Sequence, residues 1–202
     1  MLGKIILLTM MLGLSACVNN TEYLKQYEQY KKNISKFFNS DVKIPSNIDI
    51  SYDKLENIYF LQNNFDEVYV NSFNPNCGTI VFSPYIGLSK DYGWLRFKFK
   101  YSDNKWLFIK NIKFYMDNEK KEYNFPYGFI KQDVYYNNLI EEKFDTTNEF
   151  FIKLIKEIPN KGNVSLRLYG EKGTCTYVLN ENTKNLILEV KYLYNNLNKT
   201  IN

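Results

Sequence analysis

The chain has 202 residues, of which 45% are hydrophobic and 17% aromatic. Its length suits one compact domain rather than two, and this apolar content is enough to form a full core. Histidine is absent, which removes the side chain used most often for acid–base catalysis near neutral pH and for metal binding. The formal net charge is only +4, with acids interspersed along the chain, so the composition does not indicate a nucleic-acid-binding protein.

The amino terminus has the pattern of an export leader. Lys4 forms a short basic region, residues 5–14 are apolar but too few to span a bilayer, and the motif Leu14-Ser15-Ala16-Cys17 follows directly. This motif resembles the lipobox of bacterial lipoproteins. The alternatives are an ordinary secretory leader and an amphipathic start, in either of which the cysteine is there by chance.

The resemblance to lipoproteins implies a cleaved and acylated chain. In that family the signal peptide, here residues 1–16, is removed, the sulfur of Cys17 receives a diacylglyceryl group, and the new amino group is often acylated, for example with palmitate. More than one acyl chain holds a protein stably on a membrane. We therefore expect residues 17–202 to form a single domain, anchored in the bacterial cell envelope on the extracytoplasmic side, with a short tether over residues 18–20.

A first helix is predicted over residues 21–39 by the spacing of its apolar residues. Tyr23, Tyr27 and Tyr30 lie along one stripe of this helix. An aromatic stripe at helical spacing usually packs on a neighbouring element, and the alternative is a ladder that contacts a sugar or the membrane. We expect the stripe to pack on the sheet.

Strand patterns follow the helix. Residues 58–61, 68–70 and 80–86 are rich in β-branched and aromatic side chains and are separated by turn residues. Pro84 has no backbone N–H to donate, so we expect the third of these strands to lie at an edge of the sheet or to be bulged there.

The longest run with strand periodicity extends from Trp94 to Phe125. The pattern predicts a β-meander of three strands, with turns at residues 102–104 and 117–118. Its alternation assigns two aromatic residues to the inner face and two lysines to the outer face: Phe97, Phe108, Lys98 and Lys100.

The carboxyl-terminal part combines helices with a hairpin. An extended segment over residues 129–142 leads to a capping box, Thr146-x-x-Glu149, which begins a helix that ends at Pro159. A hairpin then turns at residues 170–173, and a last helix covers residues 181–197. The predicted fold class is α+β, an antiparallel meander sheet of about 6–8 strands with amino-terminal, inter-strand and carboxyl-terminal helices packed on it.

Several of these elements follow one another in a distinctive order: the segment WLRFKFKYSDNKWLFI, a strand with Tyr123, the capped helix, the strand with Arg167 and Tyr169, and the final helix. This succession resembles a recurrent domain of uncharacterised bacterial secreted proteins and lipoproteins. The resemblance supports the fold and the compartment, and it implies no activity.

Two cysteines remain after Cys17, at Cys77 and Cys175. In an extracytoplasmic compartment an even pair is compatible with one disulfide, which would close a long loop. Two cysteines give no spacing signature, so two buried free thiols are equally open. No residue set has the spacing of a metal site, and we expect no cofactor.

Carboxylate pairs are the remaining candidates for catalysis. They are Glu141-Glu142, Asp66-Glu67 and Asp49 with Asp53, and adjacent carboxylates in loops are usually solvated. No nucleophile, phosphate-loop or dinucleotide motif is present. We therefore assign no catalytic residue.

The only two arginines, Arg96 and Arg167, both fall on predicted strands. They could bind an anionic ligand together if their strands were neighbours. The alternatives are an exposed sheet face and an ion pair with a helix acid, which are the more common fates of a strand arginine.

Together these features favour a membrane-anchored lipoprotein that acts as an extracytoplasmic binding or interaction module. Its expected partner is an envelope protein or a cell-wall polymer, contacted through the polar sheet face or the loops. Three alternatives stay open: an immunity or exclusion factor against a toxin or phage, a carboxylate-dependent hydrolase, and a carrier of an apolar ligand between sheet and helices. The lack of catalytic signatures disfavours the hydrolase.

Overall fold

The computed structural model describes residues 21–63, 69–70, 74, 76–90, 92–135 and 139–198. Within these residues the chain forms two antiparallel sheets, of seven and four strands, together with three α-helices. The antiparallel α+β class predicted from the sequence is confirmed.

The larger sheet contains a meander through β1, β2, β4 and β5. Strand β9 pairs with β5, and β8 pairs with β9. The short strand β3 pairs with the side of β4 that also meets β2. The strands have these bounds: β1 Ile48–Asp53, β2 Ile58–Asn63, β3 Tyr69–Val70, β4 Thr79–Ser89, β5 Tyr92–Asp103, β8 Lys131–Val134 and β9 Ile140–Thr146.

The smaller sheet has the order β11-β10-β6-β7. Its two outer pairs are hairpins, and β10 and β6 join them at the centre. The bounds are β6 Ile109–Met116, β7 Glu119–Asn124, β10 Val164–Gly170 and β11 Gly173–Val178. The hairpin predicted around residues 170–173 is therefore confirmed.

Helices flank the sheets. Helix α1 covers residues 21–34 and continues into a 3-10 turn, Ser35–Phe37. Helix α2 is Glu149–Glu157, followed by a 3-10 turn that contains Pro159, and helix α3 is Glu181–Asn195. The tyrosine stripe of α1 packs on the larger sheet, as expected, because the Tyr27 hydroxyl donates to the Ile48 carbonyl at 2.7 Å.

The core lies between the inner faces of the two sheets and α2. Phe82 of β4 meets Phe114 of β6 across the layers, with ring centroids 6.0 Å apart. Phe97 of β5 stacks on Phe151 of α2 at 5.1 Å. These rings fill the space between the two sheets and α2.

Pro84 lies where its missing N–H has no consequence. Strand β2 pairs with Ile86–Ser89 of β4, and β3 pairs with Ile80 and Val81. Among the described strands, none pairs with Pro84 on that side, whereas on the other side it lies opposite Phe97. Strand β4 is thus a central strand, and Pro84 faces a local gap between the segments that pair with β2 and with β3.

The three-strand meander predicted from Trp94 to Phe125 is wrong in its first pairing. Strand β5 pairs with β4 and β9, whereas β6 pairs with β7 and β10. The chain therefore crosses from one sheet to the other at residues 104–108, and only the hairpin at residues 117–118 is as predicted. Alternation within a strand indicates which face is buried, but it does not indicate which strand lies alongside.

The same crossover changes the assignment of Phe108. Its φ of 54° is left-handed, and this interrupts the strand alternation. As a result Leu107 and Ile109 are buried, while Phe108 is half-buried and stacks on Trp106 at 5.7 Å. The assignments of Phe97 to the inner face and Lys98 to the outer face are confirmed.

The predicted capping box at Thr146 is also wrong. Thr146 ends β9, where it lies opposite Phe97. Asn148 caps α2 instead, with its side chain accepting from the Phe150 N–H at 2.9 Å. The Thr146 hydroxyl accepts from the Asn148 N–H at 3.0 Å, so it stabilises the turn into the helix rather than the first helical turn.

Candidate functional site

The two arginines do not form a joint site. Arg96 lies on β5 of the larger sheet and Arg167 on β10 of the smaller sheet. Both point to the outer faces of their sheets, and they have different neighbours.

Arg96 is neutralised by an acid on the adjacent strand. Its Nε lies 3.0 Å from Oδ1 of Asp145 on β9. The other carboxylate oxygen of Asp145 accepts from the Tyr85 hydroxyl at 2.6 Å. Burial and this hydrogen bond raise the pKa of Tyr85 well above its ordinary value. Arg96, Asp145 and Tyr85 form a closed structural cluster.

Arg167 has no such acid. Its Nε donates to the Thr176 hydroxyl on β11 at 2.9 Å, and its guanidinium lies 5.9 Å from the centroid of the Tyr115 ring on β6. In the part of the chain that the structure describes, no carboxylate forms an ion pair with Arg167. Its charge is held in place by a hydroxyl and an aromatic ring, and it stays uncompensated.

Lys113 is directly opposite Arg167 in the β6–β10 register. Two like charges in this position destabilise a sheet. Lys113 lies over the Tyr169 ring, 4.6 Å from the centroid, and its Nζ is 3.2 Å from Glu122 on β7. One acid therefore balances this lysine, while the arginine beside it stays unbalanced.

These side chains form one surface, which we call the Arg167 face. It is the outer face of the smaller sheet and comprises Lys113, Tyr115, Arg167, Tyr169 and Thr176. All five are half-buried, because they cover one another. A surface whose side chains are already held in place loses little conformational entropy on binding.

The two tyrosines of the Arg167 face shift each other's pKa in opposite directions. Hydrogen bonds from Tyr115 and from Arg167 lower the pKa of Tyr169. The same bond raises the pKa of Tyr115, because Tyr115 is the donor. Tyr115, Tyr169 and Arg167 thus interact with one another on this face.

Glu142, one of the carboxylates considered for catalysis, is fully buried and has a structural role. Its Oε1 accepts from the N–H groups of Leu107 and Phe108 at 2.6 and 2.8 Å, and its Oε2 from that of Ile109 at 2.7 Å. Consecutive N–H groups around a left-handed residue form a concave anion site. Here the protein's own carboxylate occupies that site and fixes the crossover between the sheets.

The remaining carboxylate candidates are also engaged in the fold. Glu141 faces the opposite way from Glu142 on β9 and pairs with Lys100 at 3.4 Å. Asp49 accepts from the Tyr23 hydroxyl at 3.1 Å, and Asp53 accepts from two backbone N–H groups of the following turn. The Asp66-Glu67 pair lies outside the described residues. Each of the described candidates therefore already has a partner within the fold.

Cys77 and Cys175 are joined as a disulfide, with an S–S distance of 2.11 Å and a Cα–Cα distance of 5.7 Å. The bond links the segment before β4 to β11, and so connects the two sheets. Its two residues are 98 positions apart, and loop-closure models assign about 4–5 kcal/mol of stability to a loop of this length.

The lipobox and Cys17 lie outside the described residues. Within those that are described, no helix is long and apolar enough to cross a membrane. The same residues contain no cluster of three or more cysteine, aspartate or glutamate side chains that could hold a metal ion.

No family model, curated protein or solved structure matches the chain.

The residues that surround Arg167 were not predicted as a site. Lys113 and Tyr115 alternate outward on β6, and Thr176 does so on β11. Alternation was enough to place each of them on an outer face. Their proximity to Arg167 depends on the pairing of β6 with β10, which the sequence pattern did not reveal.

Proposed function

We propose that the protein is a membrane-anchored bacterial lipoprotein that acts as an extracytoplasmic binding module, and that the Arg167 face contacts an acidic surface of a partner protein in the cell envelope. The anchor is expected at Cys17, through its acyl chains, as the lipobox implies. The observation that supports binding is the uncompensated charge of Arg167, held in a half-buried setting of tyrosine rings.

The chemistry of the face favours a protein as partner. Arginine and tyrosine are the residue types that most often dominate the energy of protein interfaces. The face belongs to a sheet, and its cations lie beside aromatic rings that offer apolar contact area. A partner carboxylate placed against Arg167 would be partly desolvated, which strengthens such a contact.

Co-purification from the envelope of the producing cell tests this proposal. The full chain should recover a partner whose yield falls at high salt and falls strongly in Arg167→Gln and Lys113→Gln variants. Arg96→Gln is the matched control, because it removes an arginine that is already neutralised, and it should recover the same amount as the unaltered chain.

Two results would count against the proposal. Recovery that does not depend on Arg167 would exclude this face as the contact surface. Sedimentation of the protein with purified cell-wall polymer, lost in the Arg167→Gln variant, would indicate a polymer rather than a protein as the partner.

The anchor has its own test. Cys17→Ser should abolish labelling by a radioactive or clickable fatty acid and release the protein from the membrane fraction. If the serine variant still incorporates the label, the lipoprotein assignment is incorrect.

A further inference from the structure

Strand β5 has an open edge at its beginning. It pairs with β4 from Tyr92, opposite Ser89, to Ser102, opposite Thr79. On its other side, β9 covers only Phe97–Asp103. Among the described strands, none pairs with residues 92–96 on that side. Alternate backbone N–H and C=O groups of this stretch therefore face away from the sheet without a strand partner.

The edge is open because the chain changes direction after β9. Strand β9 ends at Thr146, and Asn148 caps α2 immediately afterwards. Side chains of α2, among them Ile152 and Lys156, line the space beside the start of β5. The result is a groove of about 820 Å³ between the start of β5, α2 and the end of α3.

Aromatic and apolar side chains line much of the groove. They include Tyr92, Trp94, Leu95, Ile152 and Tyr194. Trp94 is held in place by the glycine opposite it on β4: a Cβ atom at Gly87 would lie only 2.3 Å from the Trp94 ring. The groove thus has a fixed aromatic wall next to an open strand edge.

The helix side of the groove adds one uncompensated positive charge. Lys153 is balanced by Glu149, at 2.8 Å on the same helix. Lys156 instead lies over the Tyr194 ring, 5.6 Å from its centroid, and it forms no ion pair with any carboxylate that the structure describes. A ligand that carries an acidic group would complement Lys156.

We propose that this groove binds an extended, acidic segment of a partner protein, which adds a strand to residues 92–96 of β5 in line with β9. Unpaired backbone donors and acceptors at strand spacing match another strand better than they match a sugar polymer. Alternate side chains of the segment would contact the aromatic wall, and an acidic side chain would meet Lys156. This site is separate from the Arg167 face and does not rest on it.

Selection from a random displayed peptide library tests the proposal on the full chain in detergent micelles. We expect the recovered peptides to be acidic, free of proline in their central part and able to bind in a fluorescence anisotropy titration. Lys156→Glu should weaken their binding by about tenfold or more. Lys98→Glu is the matched control, because it makes the same charge change on the outer face of β5, and it should leave binding unchanged.

Backbone pairing is tested with a second set of ligands. Two versions of a recovered peptide are made, one methylated at the odd-numbered backbone nitrogens and one at the even-numbered ones. The version that lacks the pairing N–H groups should lose about tenfold or more in affinity, and the other version should lose little. The thermal midpoints of all variants should match that of the unaltered chain.

The proposal is overturned by any of three results. The first is that the library yields no peptide whose binding depends on Lys156. The second is that both methylated peptides bind as well as the parent peptide. The third result is that cell-wall glycan fragments, rather than peptides, quench tryptophan fluorescence in the unaltered chain but not in the Lys156→Glu variant.

Discussion

Two arginine–tyrosine clusters on this protein have similar compositions and opposite electrostatics. Around Arg96, the Asp145 carboxylate forms an ion pair with the arginine and accepts a hydrogen bond from the Tyr85 hydroxyl. Around Arg167 no carboxylate among the described residues forms an ion pair with the arginine, and the Thr176 hydroxyl accepts from it instead. The difference teaches that an outward arginine on a strand indicates function only when its neighbours leave the charge uncompensated.

The largest expected effect is a loss of stability when an inward-facing aromatic ring is removed, and it tests whether the two clusters lie on the outer faces of their sheets. Phe97 follows Arg96 in β5 and points inward, fully buried. Phe97→Ala should lower the free energy of unfolding by about 3–5 kcal/mol, because a cavity forms beside Phe82 and Phe151. Phe108→Ala should cost less, since that ring is half-buried. Chemical denaturation measures both.

Lys98→Thr is the control for that measurement, with an expected change well under about 1 kcal/mol because Lys98 is exposed. If the lysine variant lost as much stability as Phe97→Ala, the assignment of faces in β5, and with it the comparison of the two clusters, would be incorrect.

A smaller but substantial effect is expected for the inward acid of β9. Glu142→Gln removes the buried carboxylate that accepts from three N–H groups of the crossover. An amide can accept at one oxygen only, so we expect a loss of about 2–3 kcal/mol. Asp145→Asn, outward on the same strand, should cost under about 1 kcal/mol. Equal losses in urea denaturation would contradict the distinction between the two acids.

The arginines themselves should separate stability from binding. Arg96→Gln breaks a partly exposed ion pair, which contributes under about 1 kcal/mol to folding and nothing to partner recovery. Arg167→Gln should change stability even less, because it also removes the repulsion from Lys113, while partner binding falls about tenfold or more. An arginine variant that lost stability and binding together would show that the Arg167 face is structural.

The smallest effect is spectroscopic. Burial and hydrogen bonding to acids raise the pKa of Tyr85 and of Tyr101, whereas donation from Tyr115 and Arg167 lowers that of Tyr169. In an ultraviolet titration, Tyr169 should ionise before the ordinary value of 10.0, and Tyr169→Phe should remove that early step. Early ionisation that persists in this variant would contradict the assignment.

The buried tyrosines also determine how the stability of the fold changes at alkaline pH. The folded state keeps the protons of Tyr85 and Tyr101 above pH 10, where the unfolded chain loses them. Their contribution to stability is therefore complete below pH 10 and is lost as the pH rises beyond it. Unfolding followed by circular dichroism should coincide with their ionisation.

Much of the fold could be predicted because alternation and turn residues act locally. The inward assignment of Phe97, the hairpin at residues 170–173 and the final helix needed no knowledge of distant residues. The crossover did, because the left-handed Phe108 is stabilised by Glu142, a residue much later in the chain. Strand pairing has the same limit, since β6 meets β10 through contacts that no local pattern specifies.

The candidate site was harder to predict for a related reason. The sequence singled out Arg167 as one of two arginines, but the missing acid beside it became apparent only once the register placed Lys113, Thr176 and Tyr115 around it. In the sequence Arg96 and Arg167 are equivalent, and the ion pair with Asp145 on the adjacent strand distinguishes Arg96. Whether a charge is compensated depends on cross-strand neighbours, and these follow from topology rather than from composition.

The bond between Cys77 and Cys175 also determines how the protein responds to proteases. A single cut anywhere between these residues, for example at the exposed turn of Asp117 and Asn118, would leave the two fragments covalently joined. With an anchor at Cys17, both fragments would stay on the membrane after such a nick. Reduction of the disulfide would then be needed to free the fragment that carries Arg167 from the anchored fragment that carries Lys113.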